Sequence, residues 1–288
     1  MDLLTALSRQ SCASFTDVEA GTVRVSVFLS RRERPGGLLT RRISTGLRTI
    51  KSWGLNVGSG RILCRRVRPQ DWAESWRRHF KPLEIGGALL IKPSWSRRKA
   101  KRNQAAVVLD PGLSFGTGQH PTTAFCLEEL VRFRPRGVRR SAPFLDIGTG
   151  SGILAIAAAK LGFSPVGAFD FDVEAVRNAK ANAIGNGVGR QVRFFRGDVM
   201  KLKRSRAHAT YRIICANLTA DLLLNARDRI VQLMKSDGIL VLAGILKQEF
   251  PLVRKKFEAA RLQLARSQTA GEWQSGTFVR KSRFVTIK

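Results

Sequence analysis

The residues best suited to chemistry are the acid and glycines of one run, FLDIGTGSGILAIAAAKLG, at residues 144–162. Asp146 stands near the end of an apolar strand, three glycines in G-x-G-x-G spacing follow, and a helix rich in Ala and Leu comes next. A strand, a glycine turn and a helix in this order are typical of nucleotide-binding sites. A dinucleotide fingerprint would need glycine at the position of Ile153. The pattern therefore favours a ligand without a pyrophosphate.

Acids follow the glycine run at the ends of the next two strands. Asp170 comes about twenty residues after the glycines, where an acid commonly accepts both ribose hydroxyls. Asp172 is two residues further on and should point elsewhere, whereas Asp198 in RGDV ends the third strand, within reach of an adenosine base. Each acid alone is equally well explained as a surface carboxylate or a helix cap. Their order along the chain favours a shared ligand.

A second glycine-rich stretch, DPGLSFGTGQHPTT, spans residues 110–123 ahead of another helix. Its three glycines, Gly116 among them, let the backbone approach a ligand closely, and Pro121 suits the first turn of a helix. Because a helix N-terminus attracts negative charge, this stretch could hold a small anionic group.

The elements that must position these residues belong to an α/β fold. After the basic run near Lys101, the apolar segments PFLDIG, PVGAFD, VRFFRG, RIICAN and GILVLAG alternate with helical segments. That alternation predicts a doubly wound parallel sheet with crossover helices. The last part, RLQLARSQTAGEWQSGTFVRKSRFVTI, predicts two strands without a helix between them. An antiparallel hairpin should therefore close the sheet.

The first third of the chain predicts a small α+β lobe. TVRVSVFL alternates like a half-buried strand from Thr22 to Leu29, and apolar residues at helical spacing continue from Leu38 up to Gly54. RILCRRV predicts another strand, PQDWAESWRRHF a short helix, and LEIGGALLIKPSW an extended segment. We divide the chain into an N-terminal lobe at residues 1–67, a linker helix and connecting segment at 68–105, and the main domain at 106–288.

The composition is globular, but the charge is strongly basic. Hydrophobic residues make up 43% and charged residues 25%, which argues against wholesale disorder. Lys and Arg total 51 against 21 Asp and Glu, giving a net charge of +30. The charge is explained either by a solvated surface or by contact with RNA or a ribonucleoprotein. The run SWSRRKAKRN is likewise either a linker or an RNA contact.

Cysteines and histidines are too scattered to indicate a metal site or a disulfide framework. The four cysteines form no CxxC pair, and the three histidines are equally dispersed. The longest apolar run, around GILAIAAAKLGF, is too short to span a bilayer and contains a lysine. No signal-peptide pattern is present at the N-terminus. A reducing cytoplasm is the simplest compartment, with no membrane partner expected.

Together, the glycine turn, ribose acid and base-side acid resemble the class I methyltransferases that use S-adenosylmethionine. Within that class, several segments resemble the ribosomal protein L11 methyltransferase family, and DPGLSFGTGQHPTT is the most distinctive of them. The resemblance covers roughly residues 68–288. Its other segments are DWAESWRRHFKPLEIGGALLIKPSW, DIGTGSGILAIAAAKLG, NAKANAIGNGV, ANLTADLLL, GILVLAGIL and GEWQSGTFVRK.

The resemblance implies a set of cofactor contacts and one orienting residue. The glycine loop that contains Gly116 would fold over the methionine part of S-adenosylmethionine, and Thr123 could meet its carboxylate with hydroxyl and backbone N–H. Asn217, in CANL, would orient the acceptor amine, although it could simply end its strand. His120 is open between a general base and a residue that holds the loop. The resemblance implies cofactor contacts at Thr123, Gly148, Asp170 and Asn217, and the residue pattern adds Gly116, Gly150 and Asp198. Asn217 is also the expected catalytic residue, and no metal is expected.

The family implies methylation of ribosomal protein L11, free or in the large subunit, at lysine ε-amines and the N-terminal α-amine. A ferredoxin-like N-terminal lobe would dock the substrate, and the basic surface could contact rRNA. The family's lobe opens with a strand before its first helix, whereas MDLLTALSRQSCASFTDVE leaves no room for that strand, so the lobe is expected to be truncated. Two alternatives are a methyltransferase of another protein lysine and a basic RNA- or ribosome-binding protein that has lost turnover.

Overall fold

The structure of the protein is a computed structural model. It divides the chain into two compact units, residues 1–74 and 75–288, which are described separately below. The residues that the structure describes are 4, 7, 12–17, 22–27, 37–54, 56–64, 81–110, 120–135, 142–201 and 211–281.

The first unit contains an antiparallel strand pair and a helix. Strand β1 (Cys12–Asp17) pairs with β2 (Thr22–Val27), and helix α1 (Gly37–Ser52) follows. The predicted strand at Thr22 and the predicted helix after Leu38 are thus confirmed. The opening stretch contains β1, but the helical residues 4 and 7 precede it, so β1 does not lie ahead of the first helical residues, and the truncation of the lobe stays a prediction.

The strand predicted for RILCRRV is wrong in the part of it that the structure describes. Residues 61–64 of RILCRRV have no strand structure, and residues 65–67 lie outside the described residues. The three-residue apolar run ILC is flanked by arginines and follows the turns at Gly58 and Gly60, both with positive φ, so it has little length over which to pair. The helix predicted for PQDWAESWRRHF, residues 69–80, also lies outside the described residues.

The second unit begins with a small three-stranded sheet. Strand β3 (Leu83–Ile85) turns back into β4 (Leu89–Lys92), and β5 (Ala105–Val108) lies parallel to β4. The predicted extended segment LEIGGALLIKPSW is therefore a hairpin whose turn contains Gly86 and Gly87, both with positive φ. These residues belong to the second unit. The structure divides the chain after residue 74, and the functional boundary between residues 67 and 68 stays a prediction.

The main sheet of the second unit has seven strands in the order β11-β12-β10-β9-β6-β7-β8. Strands β10, β9, β6, β7 and β8 are mutually parallel, and β12 is antiparallel to β10 and β11. The predicted doubly wound sheet and closing hairpin are confirmed. The strands are β6 (Phe144–Ile147), β7 (Val166–Asp170), β8 (Val192–Arg196), β9 (Tyr211–Asn217), β10 (Met234–Leu246), β11 (Leu262–Ala270) and β12 (Trp273–Arg280).

Helices cover both faces of this sheet because successive strand residues point to opposite sides. In β9, Ile213 and Cys215 belong to one hydrophobic cluster, while Ile214 and Ala216 belong to the other. No helix among the described residues is long and apolar enough to cross a membrane. The helices are α2 (Pro121–Arg132), α3 (Ile153–Lys160), α4 (Val173–Gly185), α5 (Ala220–Gln232) and α6 (Phe250–Ala259).

Candidate active site

The carboxyl ends of the central parallel strands open into a cleft of about 510 Å³, a size usual for a small-molecule site. Open α/β sheets bind ligands at this edge because the strand-to-helix turns converge there. Six of the seven predicted cofactor residues line the cleft, and Gly116 lies outside the described residues. The six are Thr123, Gly148, Gly150, Asp170, Asp198 and Asn217.

The glycine turn between β6 and α3 is packed closely on both sides. The N–H groups of Gly148 and Thr149 both donate to the Phe169 carbonyl, at 3.0 Å each. Gly148 has φ 73°, and a Cβ there would lie 2.5 Å from Leu218 Cδ2. A Cβ at Gly152, where φ is 83°, would lie 3.0 Å from Ala179 Cβ. A side chain at either position would therefore strain the backbone, because φ is positive, and would also clash with Leu218 or Ala179.

Asp146 is buried directly beneath this turn. Its Oδ2 accepts a hydrogen bond from Thr149 Oγ1 at 2.6 Å, while its Oδ1 has no hydrogen-bond partner among the described residues. Burial raises the pKa of Asp146 to about 7, partly offset by the Thr149 hydrogen bond. The carboxyl is thus held near its protonation midpoint at neutral pH. The sequence predicted Asp146 near a strand end, but it did not indicate that Thr149 donates a hydrogen bond to the Asp146 carboxyl.

Asp170, at the end of β7, both braces the glycine turn and borders the cleft. Its Oδ2 accepts the Gly150 N–H at 2.9 Å, and its Oδ1 accepts the Asp172 N–H at 3.0 Å. Each carboxylate oxygen has two lone-pair sites, so each keeps one for a ligand hydroxyl. Asp172 points elsewhere, as predicted, because its side chain caps α4 by accepting the Glu174 N–H at 2.9 Å.

Asp198 lies two residues beyond the end of β8 rather than on its last residue, which corrects the predicted position. The difference arises because the β8 pairing ends at Arg196. Asp198 Oδ1 accepts the Met200 N–H at 2.8 Å, and its Oδ2 lies 4.0 Å from Lys201 Nζ. The carboxylate is therefore fixed by its own turn while it lines the cleft.

Thr123 and Asn217 come from elements far apart in sequence and meet at the other side of the cleft. Asn217 Nδ2 donates to Thr123 Oγ1 at 3.4 Å, a long hydrogen bond. The Thr123 N–H donates to the His120 carbonyl at 3.0 Å, and its predicted contact with a ligand carboxylate stays a prediction. The side chains of the pair remain available to a ligand.

Gly244 is a site residue that sequence reasoning missed. It has φ 81° and lies at an irregularity of β10, where a Cβ would be 2.9 Å from Asn217 Oδ1 and 2.7 Å from the Leu218 carbonyl oxygen. Only glycine lets β10 approach Asn217 this closely. The signal was present in the sequence as a glycine inside the otherwise apolar strand GILVLAGIL.

His120 occupies the N-cap position of α2 and is absent from the described cleft lining. Its Nδ1 lies 2.8 Å from Thr122 Oγ1, and its ring meets the Trp273 ring edge-on at a centroid distance of 5.0 Å. Burial lowers the pKa of His120, opposed by the nearby Glu272 carboxylate. This geometry favours the reading in which His120 holds the start of α2.

A buried charge network fixes α2 against the C-terminal hairpin. Glu129 is buried on α2, where it accepts hydrogen bonds from the Arg266 guanidinium and, at 2.6 Å, from Thr277 Oγ1. Arg266 also donates to Glu128 at 2.9 Å and lies 5.0 Å from the centre of the Phe125 ring. Strands β11 and β12 thus position the helix that carries Thr123. Nothing in the local sequence signals these contacts.

Apolar residues complete the described wall of the cleft. Phe171, next to Asp170, is 65% exposed, and the Arg196 guanidinium lies 5.8 Å from its ring centre. Leu218 and Leu222 line the cleft beside Asn217, and Leu222 is itself exposed. The cleft therefore combines two carboxylates with apolar surface inside a strongly basic chain.

The fold and the site together define a class I, Rossmann-like methyltransferase, because a doubly wound sheet closed by a hairpin carries a G-x-G-x-G turn, a following acid and a polar pair at one edge. The sequence model of the family described as ribosomal protein L11 methyltransferase (PrmA) matches residues 29–281. The chain belongs to the ribosomal protein L11 methyltransferase family.

Individual relatives agree with this assignment. A protein from Trichlorobacter lovleyi named ribosomal protein L11 methyltransferase is 44% identical over 207 residues, which cover 71% of this chain and 66% of the relative. One of the same name from Alkaliphilus metalliredigens is 35% identical over 224 residues, covering 78% of this chain and 68% of the relative. The solved structure of a ribosomal protein L11 methylase from Lactobacillus delbrueckii subsp. bulgaricus is 28% identical, with a TM-score of 0.61, and the match covers 70% of this chain and all of that one.

Proposed function

We propose that this protein transfers methyl groups from S-adenosylmethionine to ribosomal protein L11, at lysine ε-amines and the N-terminal α-amine. The observation that carries the proposal is the convergence of the glycine turn, Asp170 and the Thr123–Asn217 pair on one cleft. The names of the relatives supply the substrate. A cytoplasmic location is part of the proposal, since the substrate is a ribosomal protein.

The described residues suit S-adenosylmethionine. Asp170 keeps one acceptor site on each oxygen, which matches a pair of ribose hydroxyls. Asp198 lines the same cleft and would accept a hydrogen bond from an amino group of the base. The two carboxylates also favour a cofactor that carries a positive sulfur, within a chain whose net charge is +30. The cleft thus carries negative charge that attracts a cationic ligand, although the chain as a whole is positively charged.

The acceptor side of the cleft orients an amine and excludes water. When bound, S-adenosylmethionine supplies a methyl group activated by positive sulfur. The Asn217 carboxamide and the Leu218 carbonyl can accept hydrogen bonds from an amine, and Gly244 lets them lie together. Leu218 and Leu222 provide an apolar wall, which lowers the pKa of an incoming lysine because burial disfavours its charged form.

The energetics do not require a dedicated base. A free lysine has a pKa of about 10.4, so holding it neutral at pH 7 costs about 4.6 kcal/mol. Good orientation of two reactants contributes roughly 7 to 11 kcal/mol. Orientation by Asn217 and its neighbours can therefore offset deprotonation, which agrees with the position of His120 outside the described cleft lining.

The proposal is tested by mass spectrometry of purified L11 after incubation with the protein and S-adenosylmethionine. We expect gains in whole methyl units, strongly reduced with Asp170→Ala and retained with Asp172→Ala, which removes a neighbouring acid outside the described cleft lining. Peptide mapping then assigns the modified amines. If L11 gains no mass while another protein in a whole lysate does, the substrate is a different protein lysine.

The net charge of +30 favours one competing function, an RNA- or ribosome-binding protein without turnover. Methyl transfer requires the cleft to bind S-adenosylmethionine, whereas RNA binding alone does not. If calorimetry detects no S-adenosylmethionine binding and no protein in the lysate is methylated, while RNA is bound, the competing function replaces the proposed one. Methylation of a protein in the lysate, reduced in Asp170→Ala, would instead eliminate it.

A further inference from the structure

The segment between β4 and β5, residues 93–104, is a basic loop with an unusual concentration of charge. Five of its six residues from 97 to 102 are Lys or Arg, and the loop contains no acid. All five are exposed to solvent. The loop joins two parallel neighbouring strands, so it must travel the length of the small sheet before β5 begins.

The basic loop is held in place along its length. The Ser94 N–H donates to Asp110 Oδ1 at 2.6 Å, which ties the start of the loop to the first residue of the second glycine-rich stretch. Lys92 Nζ donates to the Ser96 carbonyl at 2.8 Å. At the other end, the Gln104 N–H donates to the Lys101 carbonyl at 3.0 Å. The exposed cations are thus presented on a fixed backbone, which lowers the entropy cost of binding.

The charge of the loop is only partly neutralised within the protein. Glu84 on β3 accepts from both Arg98 and Lys101, and these contacts hold the pKa of its carboxyl below its usual value. Arg97, Lys99 and Arg102 make no side-chain ion pair or hydrogen bond with any other residue in the described part of the chain. Three cations within six residues are therefore available to an external partner.

We propose that the basic loop binds the phosphate backbone of RNA through Arg97, Lys99 and Arg102. Closely spaced exposed cations match successive phosphates, and the net charge of +30 adds long-range attraction to a polyanion. A membrane site would need exposed large apolar side chains, and the loop has none of these. A protein interface would need an apolar centre, which a patch of cations alone does not provide. This inference goes beyond the proposed methyl transfer and does not depend on it.

The test is fluorescence anisotropy with a labelled 20-nucleotide single-stranded RNA of mixed sequence, titrated with the whole protein at several salt concentrations. The loop variant carries Arg97→Gln, Lys99→Gln and Arg102→Gln. The matched control carries Lys180→Gln, Lys255→Gln and Lys256→Gln, which remove the same charge from exposed positions on α4 and α6. Equal unfolding midpoints for all three proteins establish that each is folded.

Three phosphate contacts on single-stranded RNA correspond to a salt slope of about 2 in log affinity against log salt, or roughly 50-fold in affinity at 0.15 M salt. We expect the loop variant to lose about this much and the control variant only a few-fold. Equal losses in both variants, or unchanged binding by the loop variant, would overturn the assignment to this loop. Competition by polyglutamate as effective as that by unlabelled RNA would overturn the assignment to phosphate and point to an acidic protein.

Discussion

The two sides of the cleft are built in different ways. The cofactor side, formed by β6, β7 and the turn between β6 and α3, consists of backbone with unusual dihedral angles braced by Asp146 and Asp170. The acceptor side depends on two side chains, Thr123 and Asn217, joined by one long hydrogen bond. The hydrogen bonds of the first side join residues within 144–170, whereas the second requires α2, β9 and β10 to be packed together.

This difference indicates where each kind of substitution should act. Changes on the cofactor side should alter stability and cofactor affinity, because the glycine turn and the carboxylates of Asp146 and Asp170 are hydrogen-bonded to each other. Changes on the acceptor side should alter turnover, because little of the fold depends on the Thr123–Asn217 hydrogen bond. The following substitutions separate the two sides, in order of decreasing expected effect.

Asp146→Asn should remove a large pH dependence of stability. The pKa of Asp146 is about 7 in the folded protein and about 3.9 in an unfolded chain, so the native state holds the proton more tightly. This contribution to the free energy of unfolding is fully present below pH 4 and falls as pH rises to 7, by about 4 kcal/mol. Urea unfolding at pH 5 and pH 7.5 measures the part lost between these two values, about 2.5 kcal/mol. The same pH dependence in wild type and Asp146→Asn would contradict the shifted pKa.

Asn217→Ala should reduce turnover about 100-fold, because a misplaced acceptor loses alignment with the methyl group. Its affinity for S-adenosylmethionine should change only a few-fold. The measurement pairs single-turnover methyl transfer with calorimetry. Asn186→Ala is the matched control, since Asn186 bonds both the N–H and the carbonyl of Val108 and should affect stability alone. Equal losses of turnover and affinity in Asn217→Ala would assign Asn217 to the cofactor side.

Asp170→Ala should weaken binding of S-adenosylmethionine by about 1 to 3 kcal/mol, because a charged hydrogen-bond acceptor is lost and the Gly150 N–H loses its partner. Calorimetry with the purified variant measures this. Unchanged affinity would mean that Asp170 only braces the glycine turn and does not contact the ribose.

Asp172→Ala should cost about 1 kcal/mol of stability, because the Glu174 N–H at the start of α4 loses its cap. Affinity for S-adenosylmethionine should stay at the wild-type value, since Asp172 points away from the cleft. Thermal unfolding and calorimetry on the same preparation test both halves. A loss of affinity comparable to that of Asp170→Ala would show that the two acids act as one unit.

The cofactor side could largely be predicted from sequence, and the acceptor side could not. Strand periodicity and the G-x-G-x-G spacing locate the turn and Asp170 because these features depend on neighbours along the chain. The bond between Arg266 and Glu129 joins residues 137 positions apart, which no local pattern reports. Likewise, the approach of Gly244 to Asn217 depends on the register of β9 and β10.

Burial and local hydrogen bonding explain the remaining differences between the sequence predictions and the structure. Asp146 has the spacing expected of a site acid, but its raised pKa depends on the complete enclosure of its carboxyl. The Thr123 N–H, expected to meet a ligand, donates to the His120 carbonyl because the first turn of α2 closes on itself. Sequence spacing thus finds which residues converge, whereas the contacts of each atom require the packed structure.

The most direct test of the central claim is calorimetric titration of S-adenosylmethionine into the wild-type protein. The arrangement of the cleft predicts saturable binding of one cofactor per chain, competed by S-adenosylhomocysteine and weakened in Asp170→Ala. Absence of saturable binding by the folded wild-type protein, or identical binding by Asp170→Ala and wild type, would contradict the assignment of this cleft to the methyl donor.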